Sequence, residues 1–139
     1  MSHPIISAQA IMAELLNARL VRPTDPYPYS EYFVDSDTKD HVLRVNVAGF
    51  SEDELEITTE DEKVVIRGIV CEAEKQAQES RDYRYSKIRQ KDFEREIAVP
   101  DTLDITKMSA KLDRGILELR FPLTDIQKAR LEKRTIKLS

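Results

Sequence analysis

With 139 residues, the chain is long enough for one domain with a short tail at each end. Charged residues make up 35% of the sequence and hydrophobic residues 40%, which permits one modest core with solvated flanks. A formal net charge of −4 disfavours a nucleic-acid partner, because phosphate binding requires a basic face. No apolar run reaches the roughly 18 residues of a membrane-spanning helix. No basic region precedes an apolar one at the N-terminus either, so we expect neither a membrane span nor a secretory signal.

The first 28 residues are predicted to form an N-terminal arm. Ser7 is placed to cap a helix over residues 8–20, in which Ile11, Leu15 and Leu16 contribute to one apolar stripe. A helix of this length is not stable alone. It therefore either docks on its own domain or forms a mobile arm that binds other chains. Three closely spaced prolines after residue 22 end it.

From residue 29 onward, apolar and polar residues alternate as they do in β-strands. We predict four strands in the first half of the domain, at residues 29–35, 43–47, 55–57 and 63–70. The capping-box spacing from Ser51 to Glu54 indicates one helical turn before the third strand. The fourth strand is rich in β-branched residues, which is typical of a central position in a sheet.

Residues 71–87 break the strand pattern. Ala, Glu, Gln and Lys dominate as far as Glu79 without an apolar stripe, which is typical of a solvated helix or a long loop. Tyr83 and Tyr85 then alternate with polar residues in a short strand-like patch. A strand isolated within a loop must pair with a free edge, and that edge can belong to another chain.

The next predicted strand, residues 93–99, places a charge among apolar side chains. Arg95 lies on the same face as Phe93, Ile97 and Val99. An unpaired buried charge costs several kcal/mol, so a buried Arg95 needs a carboxylate or several carbonyl partners. Two alternatives remain open. Either the stem packs while the head reaches solvent, or the head forms a salt bridge at an interface.

A β-hairpin over residues 108–121 completes the domain. Met108, Ala110 and Leu112 alternate with polar residues, and a second alternating run follows the turn at Gly115. We expect Gly115 to supply the positive φ of that turn, and Pro122 to end the second strand. The tally is about seven short strands without interior helices. It predicts an all-β fold, an immunoglobulin-like antiparallel β-sandwich.

Nothing in the sequence indicates catalysis, a metal site or a cofactor. His3 and His41 are the two histidines, and neither lies near a nucleophile or a metal-ligand cluster at a known spacing. Cys71 cannot form an intrachain disulfide, and we interpret it as a small packed side chain in a reducing, cytoplasmic setting. No glycine-rich loop cradles phosphate. Three acidic groups are interpreted as solvated turns, around Asp35, Asp61 and Asp101.

Several spaced motifs resemble those of one family. Residues 110–117 match the pattern A-x-x-x-x-G-[VI]-L, and residues 93–100 match F-x-R-x-x-x-L-P with Val99 for Leu. Val47-Ala-Gly-Phe50 is similar to a P-G-F turn with Ala48 for Pro. Together these motifs resemble those of the small heat-shock protein, or α-crystallin, family. Ala in place of Pro at position 48 resembles the bacterial inclusion-body-binding subgroup of that family. Near the C-terminus, Ile136-Lys-Leu138 is similar to the family's I-x-[IV] anchor.

The resemblance implies three units and a set of contact residues. The units are an N-terminal arm at residues 1–28, an α-crystallin domain at 29–122, and a C-terminal extension at 123–139. The extension lacks the proline frequent in the family, and a Thr124 cap allows it to be helical. The implied oligomer anchor is Ile136 and Leu138, and its groove is Leu55, Ile57, Met108, Ala110 and Leu112. The implied dimer interface is Tyr83, Tyr85, Arg95 and Tyr32, and the arm residues that contact clients or other subunits are Ile5, Ile6, Ile11, Leu15 and Leu16.

By the same resemblance, the chain is expected to be a cytoplasmic, ATP-independent holdase. It would bind partly unfolded proteins and limit their aggregation, as a dynamic homo-oligomer built from dimers. In the family, the loop strand of one protomer, here residues 83–86, is swapped onto the first strand of its neighbour. The alternative is a p23-like co-chaperone or adaptor module on the same sandwich. That class generally lacks the hairpin motif and the terminal anchor.

Overall fold

The computed structural model describes residues 27–132 and 135–138. The predicted helical arm, with Ile5, Ile6, Ile11, Leu15 and Leu16, lies outside these residues. The strands are β1 (Ser30–Val34), β2 (His41–Asn46), β3 (Leu55–Glu60), β4 (Lys63–Gly68), β5 (Phe93–Ala98), β6 (Ser109–Asp113) and β7 (Ile116–Phe121). The helices are α1 (Glu72–Ser80) and α2 (Asp125–Leu131), with single 3-10 turns at Glu52–Glu54 and Ile105–Lys107.

The strands form two antiparallel sheets, which confirms the predicted β-sandwich. One sheet has the order β1-β2-β7-β6 and the other has the order β3-β4-β5. The β-branched strand β4 is central in its sheet, as its sequence indicates. The strands β1 and β6 are the edges of the larger sheet, while β3 and β5 are the edges of the smaller one.

The core lies between the sheets and follows the period-2 alternation of the strands. In β2, Leu43 and Val45 point inward, and Val64 and Ile66 do so in β4. Leu117, Leu119 and Phe121 extend the same cluster from β7. Burying a side chain of this size contributes about 1.5–3 kcal/mol, so this alternation is the main driving force for the fold.

The outer face of the larger sheet is covered by ion pairs between neighbouring strands. Arg44 of β2 lies between two carboxylates, 3.1 Å from Glu31 of β1 and 3.6 Å from Glu118 of β7. Arg120 binds Asp35 at 3.3 Å and Asp40 at 3.2 Å. The Asp35 side chain is only 23% exposed, so the expectation that its turn is merely solvated is wrong for that residue.

The outer face of the smaller sheet repeats this arrangement. Arg67 of β4 pairs with Glu94 of β5 and lies 3.4 Å from Glu56 of β3. Lys63 binds Glu96 at 2.8 Å in the next row. These side chains are mostly half-exposed, and each such pair contributes little stability. Their main effect is that both outer faces are largely polar. Large apolar side chains reach solvent mainly at the β1 edge, in the loop after α1, on α2 and in the C-terminal tail.

The β6–β7 hairpin forms as predicted. Its two-residue turn is Arg114–Gly115, and both residues have positive φ, 52° and 80°. A turn with two positive φ angles matches the twist of the flanking strands. The Gly115 carbonyl also accepts a hydrogen bond of 2.8 Å from the Val47 amide, which ties the turn to the end of β2. Strand β7 ends immediately before Pro122.

Two features of the middle of the chain differ from the prediction. Helix α1 lies between β4 and β5, so the expectation of a sandwich without interior helices is wrong. Residues 81–92, all of them described, contain no strand, so the strand-like patch at Tyr83 and Tyr85 is not formed within one chain. A strand needs a neighbour for its backbone hydrogen bonds.

The C-terminal extension leaves the domain from a fixed point. Leu123 is buried and forms a β-bridge with Leu103, and the Thr124 amide donates to the Thr102 carbonyl at 3.0 Å. The Thr124 hydroxyl accepts from the Gln127 amide at 3.2 Å and caps α2. The helix that the sequence allows in this extension is therefore formed.

Replacing Gly115 by Ala should destabilise the domain. The left-handed conformation costs a residue with a Cβ about 1–2 kcal/mol, and the added Cβ would lie 3.3 Å from the Ala48 Cα. We expect the free energy of unfolding in urea to fall by at least that amount. The control is Lys111→Ala on the exposed face of β6, with an expected change below about 0.5 kcal/mol. Equal effects of the two substitutions would contradict this account of the turn.

Candidate functional site

The predicted groove residues lie on two edge strands that belong to different sheets. Leu55 and Ile57 are on β3. Leu112 is in β6, and Met108 immediately precedes that strand. All four are partly buried and pack against the central core. Each edge therefore leaves part of its inward-facing apolar surface open to solvent.

Ala110 produces a gap in the β6 edge. It pairs in register with Leu119, which is fully buried, so the two residues share the inner face of the sheet. Ala110 is nevertheless exposed, because its side chain is too short to reach the core. The inner face of β6 is therefore less covered at Ala110 than at Met108 and Leu112, which are partly buried.

The predicted anchor residues are not buried by their own chain. Ile136 is 65% exposed and Leu138 is 91% exposed. An exposed Leu or Ile is common on protein surfaces. Here the two apolar side chains alternate with Lys137 near the end of an extension that contains one helix, so they present one apolar face in an extended conformation.

The predicted dimer edge, β1, also presents apolar side chains. Tyr29 is 58%, Phe33 39% and Val34 43% exposed. Among the described residues, β1 pairs with β2 alone, and the hydrogen-bonding groups on its other side face no strand. Such an edge is a template for an added strand.

Residues 81–92 form a loop whose two ends are held on the domain while its tip is exposed. At the N-terminal end, Arg81 binds Glu74 of α1 at 2.8 Å. At the C-terminal end, the Gln90 carbonyl accepts from the Gln78 side chain of α1 at 3.0 Å. Near it, Asp92 accepts from the Val70 amide at 2.8 Å and from Lys75 at 3.0 Å, and these bonds lower the pKa of the Asp92 carboxyl. The tip includes Tyr85, 75% exposed, and Ile88, 86% exposed.

The ring of Tyr83, a predicted interface residue, lies near two arginine guanidinium groups. The guanidinium of Arg89 lies 5.1 Å from the centre of its ring and that of Arg81 lies 6.0 Å from it. Arg81 in turn binds Glu74 of α1 at 2.8 Å, which lowers the pKa of that carboxyl. Tyr83 is therefore partly buried, while Tyr85 projects further from the domain.

Arg95 is buried, so the alternative in which its head reaches solvent is wrong. The side chain is 4% exposed. Its guanidinium donates to the carbonyl of Tyr27 and, at 3.1 Å, to that of Pro28. The ring of Tyr27 packs edge-on against Phe93 of the same strand, with centroids 6.1 Å apart. Arg95 thus fastens the segment that leads into β1, and a role at the dimer interface stays a prediction.

Tyr32, on the inner face of β1, pairs with a histidine to which the sequence assigns no role. Its hydroxyl forms a hydrogen bond with His41 Nδ1, and the ring centroids are 5.7 Å apart. Burial raises the pKa of Tyr32 to about 12. Burial also lowers the pKa of His41, an effect that the nearby Asp40 opposes. Both groups are therefore neutral near pH 7.

The described part of the chain offers no arrangement for metal binding. Within residues 27–132 and 135–138, no cluster of three or more His, Cys, Asp or Glu side chains is placed to hold a metal ion. Cys71 is exposed at the N-terminus of α1, so the interpretation of it as a packed side chain is wrong. None of the helices in this part is both long and apolar enough to cross a membrane.

Solved structures with the same fold come from small heat-shock proteins. One from Xylella fastidiosa matches with a TM-score of 0.57 at 20% sequence identity, over 81% of this chain and 95% of its own. A truncated form of the small heat shock protein AgsA from Salmonella typhimurium matches with a TM-score of 0.50 at 28% identity, over 68% of this chain and 97% of its own. The sandwich is therefore that of the small heat-shock proteins.

The sequence agrees with the fold. The profile of the Hsp20/alpha crystallin family matches residues 34–139, and the chain belongs to this family. The small heat shock protein IbpA of Serratia proteamaculans (strain 568) is 36% identical over 90 residues, which are 65% of this chain and 60% of that protein. IbpA of Yersinia pestis (strain Pestoides F) is 37% identical over the same shares. The chain thus matches about three fifths of the length of these relatives.

These matches confirm the resemblance to small heat-shock proteins of the bacterial inclusion-body-binding type. Small heat-shock proteins are ATP-independent chaperones and not enzymes. Family membership therefore also confirms the expectation that the chain is not an enzyme.

Replacing Arg95 by Ala should lower the melting temperature. The change leaves a cavity and removes the donor to two carbonyls, a combined cost of about 2–4 kcal/mol. The matched control is Arg67→Ala, one strand away on the outer face, where the side chain is 46% exposed and the expected loss is below about 1 kcal/mol. A melting curve for Arg95→Ala that coincides with wild type would refute the buried role.

The stability of the domain should fall as the pH drops below 6.5, the ordinary pKa of a histidine. The folded state holds His41 with a lowered pKa, so the unfolded chain binds more protons below that pH and unfolding becomes more favourable. Urea denaturation at about pH 7.5 and about pH 5.5 measures this loss. His41→Gln should show a smaller loss between the two conditions. An equal loss in both proteins would assign the effect to other groups.

Proposed function

We propose that the chain is a cytoplasmic holdase, which binds partly unfolded proteins and limits their aggregation without ATP. The observation on which the proposal chiefly rests is that apolar side chains reach solvent at sheet edges and at the tail, whereas both outer faces are covered by ion pairs. Apolar surface exposed in contiguous patches is typical of sites that bind other proteins. The match to IbpA-type small heat shock proteins supports the same conclusion.

The first proposed contact builds a dimer. The exposed loop at Tyr83 and Tyr85 would add its backbone to the free edge of β1 in a second copy, beside Tyr32. Two observations support it: the loop contains no strand in one chain, and β1 has an unpaired side. Each partner supplies what the other lacks, since an isolated strand and an open edge both have unsatisfied backbone groups. Arg95 would contribute indirectly, because it fixes the segment that leads into β1.

The second proposed contact links dimers. Ile136 and Leu138 would dock in the groove formed by Leu55, Ile57, Met108, Ala110 and Leu112. The exposure of Ala110 supports this proposal, because this small apolar residue lies on the inner face of an edge strand and is open to solvent. The short Ala110 side chain would leave room for one branched side chain between its two larger neighbours.

The energetics make each anchor contact reversible. Burying an Ile or Leu side chain gains about 1.5–3 kcal/mol. Fixing the backbone of each tether residue costs about 1–2 kcal/mol, which offsets much of the gain. An assembly held in this way persists through its many contacts, while any single contact opens readily. Each opening exposes apolar surface to an unfolding client, and binding that client delays its aggregation.

Each of the three units inferred from the sequence would have its own role in the assembly. Residues 29–122 would form the paired domain, and residues 123–139 would link dimers. The arm at residues 1–28 would add the apolar contacts of Ile5, Ile6, Ile11, Leu15 and Leu16. The alternative of a p23-like adaptor is not favoured, because the matches are to small heat-shock proteins.

Removing residues 135–139 should shift the particle toward dimers in native mass spectrometry, because it removes both anchor side chains. Ile136→Ser with Leu138→Ser should act in the same way, and Lys137→Ala is the control that should leave the mass unchanged. In parallel, a heat-labile client should scatter less light during heating when the full-length protein is present than when it is absent. Retention of the full-length mass after truncation would exclude the anchor. A monomeric full-length protein without effect on the client would favour the adaptor.

A further inference from the structure

The loop between α1 and β5 has a charge opposite to that of the whole chain. Its twelve residues from 81 to 92 contain five cations and two carboxylates, whereas the chain has a formal net charge of −4. The cations are Arg81, Arg84, Lys87, Arg89 and Lys91. The segment proposed to dock on a second copy is therefore basic, although the chain as a whole is acidic.

Two of these cations project from the tip of the loop. The Arg84 side chain is 90% exposed, and its pairing with Asp82 at 3.2 Å is correspondingly weak, since Asp82 is 81% exposed. Lys87 is exposed, and its ammonium lies 6.0 Å from the centre of the Tyr85 ring. Arg84 and Lys87 thus lie on either side of Tyr85 in the sequence, and Lys87 also lies near its exposed ring.

The free edge of the larger sheet has the complementary charge. Strand β1 and the turn that follows it carry four carboxylates, at Glu31, Asp35, Asp37 and Asp40. Asp35 and Asp40 are engaged by Arg120 and partly buried. Glu31 pairs with Arg44 at 3.1 Å, but its side chain is still 60% exposed, and it lies with the exposed Asp37 at the surface beside β1.

We propose that charge steers the loop onto the β1 edge of a second copy and sets its register there, with Arg84 and Lys87 meeting Glu31 and Asp37. This inference rests on the proposed dimer and adds its regulation by ionic strength. Exposed complementary charges chiefly raise the association rate and exclude wrong alignments. Apolar burial alone would not select a register, because the hydrophobic effect is non-directional.

The direction of the salt effect separates this arrangement from apolar docking. Interactions between exposed charges are screened over about 8–10 Å at ordinary ionic strength. Raising NaCl from about 50 mM to about 500 mM should therefore weaken the dimer. A contact held by apolar burial alone would be unchanged or strengthened.

A charge exchange between two full-length variants tests the proposal. Arg84→Glu/Lys87→Glu gives a copy with an acidic loop and an acidic edge, and Glu31→Lys/Asp37→Lys gives one with a basic loop and a basic edge. Alone, each should dimerise about tenfold more weakly than wild type, because like charges meet at both contacts. Mixed in equal amounts, the two variants restore opposite charges at both contacts. Native mass spectrometry should then show mixed dimers well above the statistical one half.

Matched variants separate failure of the charge pairing from failure of the dimer. Lys111→Glu/Arg114→Glu on the β6–β7 hairpin changes the net charge by the same amount as Arg84→Glu/Lys87→Glu. It should leave the dimer intact. Tyr85→Ser/Ile88→Ser removes the apolar contacts of the loop. If this variant is monomeric while both charge variants dimerise like wild type, the charge pairing is overturned and the dimer stands. If none of these variants loses dimer, both are overturned.

One of these variants also tests whether the basic loop binds a polyanion instead of a second copy of the chain. A fluorescent single-stranded oligonucleotide is titrated with wild type and with Arg84→Glu/Lys87→Glu. Absence of binding at about 150 mM salt supports the second copy as the occupant. Binding that the substitutions abolish, with dimer mass unchanged, would assign the charge to a polyanion and overturn the proposal.

Discussion

The buried guanidinium of Arg95 constrains more of this structure than any other single group. A charge inside a sandwich must be given hydrogen-bond acceptors, and here they include the carbonyls of Tyr27 and Pro28. Those carbonyls belong to the segment that leads into β1, more than sixty residues away in sequence. The need to solvate one side chain of the smaller sheet therefore determines where the larger sheet begins. The free edge of β1 lies where this interaction holds it.

The distribution of charge then limits which surfaces meet other proteins. On each outer face an arginine of a central strand lies between acidic side chains of its neighbours, as Arg44 and Arg67 do. These pairs are too exposed to add much stability. Desolvating them against another protein would be costly, so the faces favour water. The edges differ, because there the alternation places apolar side chains at the boundary of the core. The geometry of the sandwich and the pattern of charge thus select the same surfaces.

Local features of the fold could be predicted from the sequence, and distant ones could not. The hairpin was predictable because the alternation on both sides of Gly115 and the turn itself lie within fourteen residues. Helix α1 remained ambiguous with a loop, since it has no apolar stripe to indicate which face packs. The carbonyl partners of Arg95 were beyond prediction, because no local pattern identifies acceptors far along the chain. Period-2 alternation assigns Ala110 to the inner face but does not indicate that β6 is an edge, where a short side chain stays exposed.

Helix α2 makes the length of the C-terminal tether depend on temperature. Seven helical residues span about 10 Å, whereas the same residues extended span about 23 Å. The helix starts at a point fixed by Thr124, so its state determines how far the tail extends from the domain. A helix of two turns is only marginally stable on its own, and its helicity falls on warming. Heat would then lengthen the tether by about 13 Å and bring more distant grooves within reach. If the extension links domains as proposed, the spacing between them would increase when this helix unwinds.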